Sequence, residues 1–294
     1  MPQTCRTFLK SLHDQGLIEP FAWHFAETVS KLAPGGPASM PDHLFLAAAL
    51  TAQNTVVHKH VCLTLTPDLK IEPLLSRDNI YGEVDTELAI PADLAELLKS
   101  DACSFAVADG AGESYKPLIL EDNRLYLQRY WVCENLCAEA LRSRASAKPD
   151  APPEDAAIRA LTRLELDPDQ IAAIRQAVSG KFCVITGGPG TGKTTIVGVV
   201  LALLLQKDPR QNVCLCAPTG KAQARLKEAL DGEVKNNLTL DADDPARLRL
   251  DRLSPLTIHR LLKTNPVTGA CGHNRDNPLA ADTLIVDEVS MVDL

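Results

Sequence analysis

Residues 182–195 read Phe-Cys-Val-Ile-Thr-Gly187-Gly188-Pro189-Gly190-Thr191-Gly192-Lys193-Thr194-Thr195, and an almost unbroken apolar run follows from Ile196 to Leu205. A short apolar segment, a glycine-rich turn ending in Gly-Lys-Thr and a helix-forming segment come in the order of a strand feeding a phosphate-binding loop and a helix. The residue types have physical reasons. Glycines let the backbone wrap around phosphates, so that successive N–H groups point inward at the positive end of the following helix. Lys193 is placed to reach the β and γ phosphates of a nucleoside triphosphate, and the Thr194 hydroxyl to ligate magnesium. The alternative is a chance glycine-rich turn, and the flanking strand and helix argue against it.

Working outward toward the C-terminus, Val213–Ala217 reads as an apolar strand, with a helix starting at Thr219, and Thr283–Asp287 as another strand. With Phe182–Thr186 these strands alternate with helices, the pattern of a parallel sheet with crossover connections. The last strand ends in Asp287-Glu288. The first carboxylate belongs near the magnesium, and the second is positioned to take a proton from an attacking water, which points to hydrolysis rather than transfer to a small metabolite. Ala217-Pro218-Thr219-Gly220-Lys221-Ala222 lies at a strand-to-helix turn. Its amides and Thr219 either hold a phosphate of a nucleic-acid strand or form a plain helix cap. Thr257-Ile258-His259-Arg260 likewise reads as a capped, partly basic helix.

Toward the N-terminus, Ala145–Asp155 carries Pro149, Pro152 and Pro153 and reads as a linker. Before it, helical spacing marks Thr4–Gln15, Phe21–Leu32 and Asp42–Leu65, with a break at Pro34–Pro37, and then Asp93–Lys99 and Tyr130–Ser143. Leu118–Leu120 and Leu125–Leu127 suit a hairpin. The expected organisation is an α/β chain. A helical domain over residues 1–115 precedes a bridging helix and Pro-rich linker over 116–155, then a P-loop domain with a parallel sheet over 156–294.

Composition narrows the class. Apolar residues make up 45% and charged residues 23%, ordinary for a globular chain, and the net charge of −8 does not advertise nucleic-acid binding, although local basic stripes set phosphate contacts. The Ile196–Leu205 run is about half of a membrane span, and no export signal opens the chain, so the reading is cytoplasmic without membrane contact. Nine cysteines include no Cys-x-x-Cys pair, which points to reduced thiols, most of them buried. Cys271-Gly-His273 is a weak metal signal on its own.

Gly-Gly-Pro-Gly-Thr-Gly-Lys-Thr-Thr, Ala-Pro-Thr-Gly-Lys-Ala, Thr-Ile-His-Arg-Leu-Leu and Val-Asp-Glu-Val-Ser-Met-Val-Asp occur here in that order. Together they resemble the RecD family, the α subunits of exodeoxyribonuclease V within helicase superfamily one. Leu125–Trp131 resembles the segment that precedes the motor in that family, and Val289 stands where such proteins commonly carry Ala. The resemblance implies an incomplete RecA-like P-loop NTPase domain that binds ATP and Mg2+ through Gly187–Thr195. It makes Lys193, Asp287 and Glu288 catalytic, assigns the metal to Thr194 and Asp287, and sets Gln170 on the adenine edge. Thr219, Lys221 and His259 would then face DNA.

The partners implied are RecB-like and RecC-like subunits, docked through the helical domain, and single- and double-stranded DNA ends. The implied activity is a 5′-to-3′ helicase in double-strand break repair and recombination, with the nuclease chemistry in the RecB-type partner. Alternatives are a non-catalytic interaction module of the same complex and a standalone RecD-like helicase. Because the family's second motor domain and its arginine do not appear, the expectation is a truncated form that binds ATP without productive turnover.

Overall fold

The computed structural model describes residues 4–71, 90–110, 115–188 and 190–292. The chain divides into two units, Met1–Glu139 and Ala140–Asp293.

In the first unit, Thr4 caps α1 (Cys5–Asp14) by accepting from the Thr7 N–H, and Pro20 opens α2 (Pro20–Ser30) where a missing N–H costs nothing. The central element is α3 (Asp42–His58), whose residues from Leu44 to Thr55 are all buried. A helix apolar on every side is an interior helix, and α1, α2 and α4 (Leu94–Leu98) pack around it. A four-stranded sheet completes the unit: β1 (Cys62–Thr64), β2 (Val107–Asp109), β3 (Leu118–Glu121) and β4 (Arg124–Leu127), in the order β1-β4-β3-β2. The expected hairpin forms between β3 and β4 through Asp122 and Asn123, both at positive φ, 46° and 60°. Asp and Asn tolerate that left-handed region, and a two-residue turn of this kind matches the twist of the flanking strands. After it α5 (Gln128–Ala145) begins.

The expectation of a helical domain over 1–115 needs correction in one respect, because β1 and β2 lie inside it. The helix expected over Asp42–Leu65 stops at His58, where Lys59 takes φ 58°, and residues 62–64 pair antiparallel with β4. Leu63 faces the core while Thr64 is exposed, the alternation of a strand with one face in the core.

In the second unit α6 (Asp155–Ala160), α7 (Pro168–Ser179) and α8 (Lys193–Lys207) precede β5 (Val213–Ala217). Then come α9 (Gly220–Asn236), α10 (Pro245–Arg252), β6 (Leu256–Thr257), α11 (Ile258–Leu261) and β7 (Thr283–Val286). The sheet is parallel throughout, in the order β6-β5-β7, with Leu215 opposite Ile285 and Cys216 opposite Leu256. Its core gathers Ile196, Val199, Leu201 and Leu205 of α8 with Val213 and Leu215 of β5 and Leu226 and Leu230 of α9.

The strand expected over Phe182–Thr186 does not form. These residues belong to no sheet, and among the described residues their backbone makes no hydrogen bond. Strand propensity needs a neighbouring ladder, and β7 pairs on one side only, with β5. Phe182, Val184 and Leu284 consequently keep 37%, 66% and 50% exposure.

The proline-rich segment after α5 is irregular, as expected, yet it is tied down. The Asp150 N–H donates to the Ser179 carbonyl at 2.8 Å, and its carboxylate pairs with Lys207 at 3.1 Å and Lys181 at 3.4 Å. Hydrogen bonds from Lys207 and then Lys181 hold the Asp150 carboxyl below the usual carboxylate range. Asp150→Ala is expected to speed cleavage within residues 146–154 by a nonspecific protease, with a melting midpoint within about 1 °C of wild type because exposed ion pairs contribute little. The folded-state pKa is lowered, so the tie persists above the ordinary carboxylate range and is lost as pH falls through the lowered value. Amide exchange at Asp150, relative to its intrinsic rate, should therefore speed up only in acid.

Candidate functional site

The loop before α8 needs glycine at three described positions, 187, 190 and 192. Gly190 and Gly192 both sit at φ 78°, a left-handed conformation that other residues adopt at a cost. A Cβ on Gly187 would lie 2.5 Å from Thr191 Oγ1, and one on Gly192 would lie 2.5 Å from Gln170 Nε2. Pro189 lies outside the described residues. Within the loop Thr191 Oγ1 donates to the Gly188 carbonyl at 2.9 Å, and Lys193 Nζ donates to the carbonyls of Gly187 at 2.6 Å and Gly188 at 2.8 Å.

The start of α8 is left open. No side chain caps it, and its first turn holds no acidic residue. A helix start of this kind carries unsatisfied N–H groups and partial positive charge. With the Lys193 ammonium added, the described residues of the loop and the helix start offer donors suited to an anionic phosphate chain. Thr194 is half-buried at this turn, while Thr195 is buried and turns its hydroxyl away, donating to Glu233 Oε2 at 3.2 Å.

Gln170 braces the loop. It completes a capping box at the start of α7, where its N–H donates to Asp167 Oδ1 at 2.8 Å and its Oε1 accepts from the Asp167 N–H at 3.1 Å. Its Nε2 donates to the Thr191 carbonyl at 3.2 Å. Both ends of the amide, expected on an adenine edge, are here committed to protein partners.

Because β5, β6 and β7 are parallel, the residues that follow them emerge at one edge of the sheet. Thr219 follows β5 and caps α9, accepting from the Ala222 N–H at 3.2 Å. Thr257 ends β6 and caps α11, accepting from the Arg260 N–H at 3.3 Å. Both threonines thus act as helix caps, and Lys221 and His259 in the first turns that follow are exposed. Asp287 leaves β7 half-buried, its N–H donating to the Cys216 carbonyl at 2.9 Å. Glu288 beside it is exposed in the left-handed region, φ 50° and ψ 42°. A glutamate held there costs of order 1 kcal/mol, and such strain gathers at working sites.

The larger of two described cavities, about 800 Å3, lies off this loop. It runs beside α7 between Arg159, Arg175, Lys181 and Phe182. All nine cysteines are free, but only Cys103 and Cys216 are buried, and Cys137 is exposed, so the expectation of mostly buried thiols holds for few of them. Burial, then the neighbouring Cys214, pushes the Cys216 thiol up to about 11. Cys271 contacts Thr264 Oγ1, and among the described residues no cluster of three or more His, Cys, Asp or Glu side chains could hold a metal ion. Sequence reasoning missed Glu233. Its signal was a carboxylate at the helical spacing of Leu226, Leu230 and Val234, facing a glycine inside the apolar α8 run.

Residues 14–126 match the family model described as the N-terminal domain of RecBCD enzyme subunit RecD, and residues 170–294 match one described as an AAA domain. The RecBCD enzyme subunit RecD of Mycolicibacterium smegmatis is 41% identical over 286 residues, covering 95% of this chain and 46% of that protein. The subunit of the same name from Mycobacterium tuberculosis H37Rv is 42% identical over 231 residues, 75% of this chain and 36% of that protein. The ATP-dependent RecD2 DNA helicase of Deinococcus radiodurans is 31% identical over 214 residues, 72% of this chain and 25% of that protein. The chain spans less than half the length of these relatives. With a RecD N-terminal domain, an AAA domain after it and this identity to RecD subunits running through both, the chain belongs to the RecD family.

Proposed function

We propose that this chain binds ATP with Mg2+ at Gly187–Thr195 and supplies part of the motor of an ATP-dependent 5′-to-3′ DNA helicase subunit. In this reading it works in a cytoplasmic RecBCD-type exodeoxyribonuclease V, with RecB-like and RecC-like partners, in double-strand break repair and recombination. The observation that carries the reading is the uncapped start of α8 after a loop whose Gly190 and Gly192 take left-handed φ and whose lysine is turned onto the loop carbonyls. The donor set suits a magnesium–triphosphate: backbone N–H groups and an ammonium for the phosphates, and the Thr194 hydroxyl with the Asp287 carboxylate for the metal.

On this proposal Lys193 leaves the Gly187 and Gly188 carbonyls for the β and γ phosphates. Bound magnesium supplies positive charge that offsets the phosphates. Asp287, whose N–H is bonded to the Cys216 carbonyl at the end of β7, would give its carboxylate to the metal. The exposed Glu288 carboxylate accepts a proton from water. Gln170 reads the base by exchanging its bond to Thr191 for one to adenine. Thr219, Lys221 and His259, at the sheet edge where Asp287 also emerges, contact the DNA backbone. Residues 1–115 dock on the partner subunits. Among the described residues no helix is long and apolar enough to cross a membrane, in keeping with a site of action on DNA.

Lys193→Ala should weaken binding of a fluorescent ATP analogue by about 10- to 100-fold, the loss of one charged donor in a partly enclosed site. An unchanged Kd by fluorescence titration would refute the site. For DNA, Lys221→Ala should lower single-strand affinity and flatten the salt slope of log K by about one, as expected for one phosphate contact. A titration series at several salt concentrations reads both effects.

A further inference from the structure

Glu233 lies near the end of α9 and is 6% exposed. Its Oε2 accepts from Thr195 Oγ1 at 3.2 Å and from Asn237 Nδ2 at 2.8 Å, while Oε1 is buried with no hydrogen-bond partner. A carboxyl group in a core, with one oxygen unsatisfied, is unfavourable compared with a leucine of similar size. Opposite it, α8 carries a glycine in mid-helix, and a Cβ on Gly198 would lie 2.8 Å from Glu233 Cγ. Thus α8 gives up a better helix former to admit the glutamate stem, and α9 accepts a buried acid. The two departures from a simple apolar interface meet at one point, and what that point holds is the residue next to Thr194.

We infer that Glu233 is a positioning residue for the nucleotide site: through Thr195 it fixes the first turn of α8, so that Lys193 and Thr194 are presented in place. The inference rests on the nucleotide-binding reading above. A second brace supports it. The Thr191 carbonyl is held by Gln170 of α7, and the segment leading to α7 is bonded to the end of α9, Arg163 N–H to the Asn237 carbonyl at 2.8 Å and Thr239 N–H to the Leu161 carbonyl at 3.1 Å. The loop is therefore gripped from two sides by one connected frame, and Glu233 is the side-chain link of that frame to α8. Groups that orient a binding residue without touching the ligand typically change affinity by about 10- to 100-fold when removed.

The test uses the whole chain and a fluorescent ATP analogue, with and without Mg2+, well below the melting transition, with K193A as reference. Glu233→Ala is expected to weaken binding in the presence of Mg2+ about tenfold. Glu233→Gln, whose amide oxygen still accepts from Thr195 and Asn237, should restore most of the affinity. Thr195→Val, nearly isosteric, should match Glu233→Ala and serves if the alanine variant does not fold. The double variant T195V/E233A should bind no more weakly than either single one, as for two halves of one contact. Lower melting midpoints for E233A and T195V with wild-type affinity would overturn the inference while K193A still lost binding. Binding that none of the variants alters would overturn the nucleotide-site reading along with it.

Discussion

The interior helix α8 sets the terms for the rest of the second unit. Ile196, Val199, Val200, Leu201, Ala202 and Leu205 are buried and Val197, Leu203 and Leu204 half-buried, so the helix is apolar along most of its surface and packs against α7, α9 and α10, with Val213 and Leu215 of β5 in the same core. Its polar start has to emerge somewhere, because unsatisfied N–H groups in a core are costly. It emerges under the glycine loop, where no side chain of the protein caps it. Enclosure of the helix and openness of its first turn are two sides of one constraint.

The same logic separates what the sequence made legible from what it did not. The strand Val213–Ala217 and the caps Thr219 and Thr257 were readable because each depends on local chemistry: an apolar run between breakers, and a hydroxyl before a helix. The helix after the glycine loop was readable for the same reason. Asp42–Leu65 was misjudged at its end because nothing local announces that Lys59 turns left-handed, and the pairing that captures residues 62–64 comes from β4, far along the chain. Phe182–Thr186 has strong strand character and still forms no strand, since a ladder needs two participants.

Of the site, the loop, Lys193 and the Asp287–Glu288 pair were visible as spacing. Their supports were not. In the protein alone the Gln170 amide braces its own helix start and the loop, contacts that no spacing announces. The Thr195 hydroxyl, within the expected phosphate-binding stretch, points into the core toward Glu233. Such roles depend on which face a side chain takes once helices pack, which periodicity alone leaves open.

The unpaired edge of β7 and the bare segment Phe182-Cys-Val-Ile-Thr186 carry a practical consequence. The segment is uncharged, free of proline and rich in β-formers, the composition that self-assembles into cross-β stacks when left exposed. The outer edge of β7 likewise has no lysine, proline or bulge to blunt it. Concentrated solutions of this chain carry an aggregation hazard at this place, and a charged substitution at the exposed Val184 is the simplest gatekeeper for keeping the protein in solution.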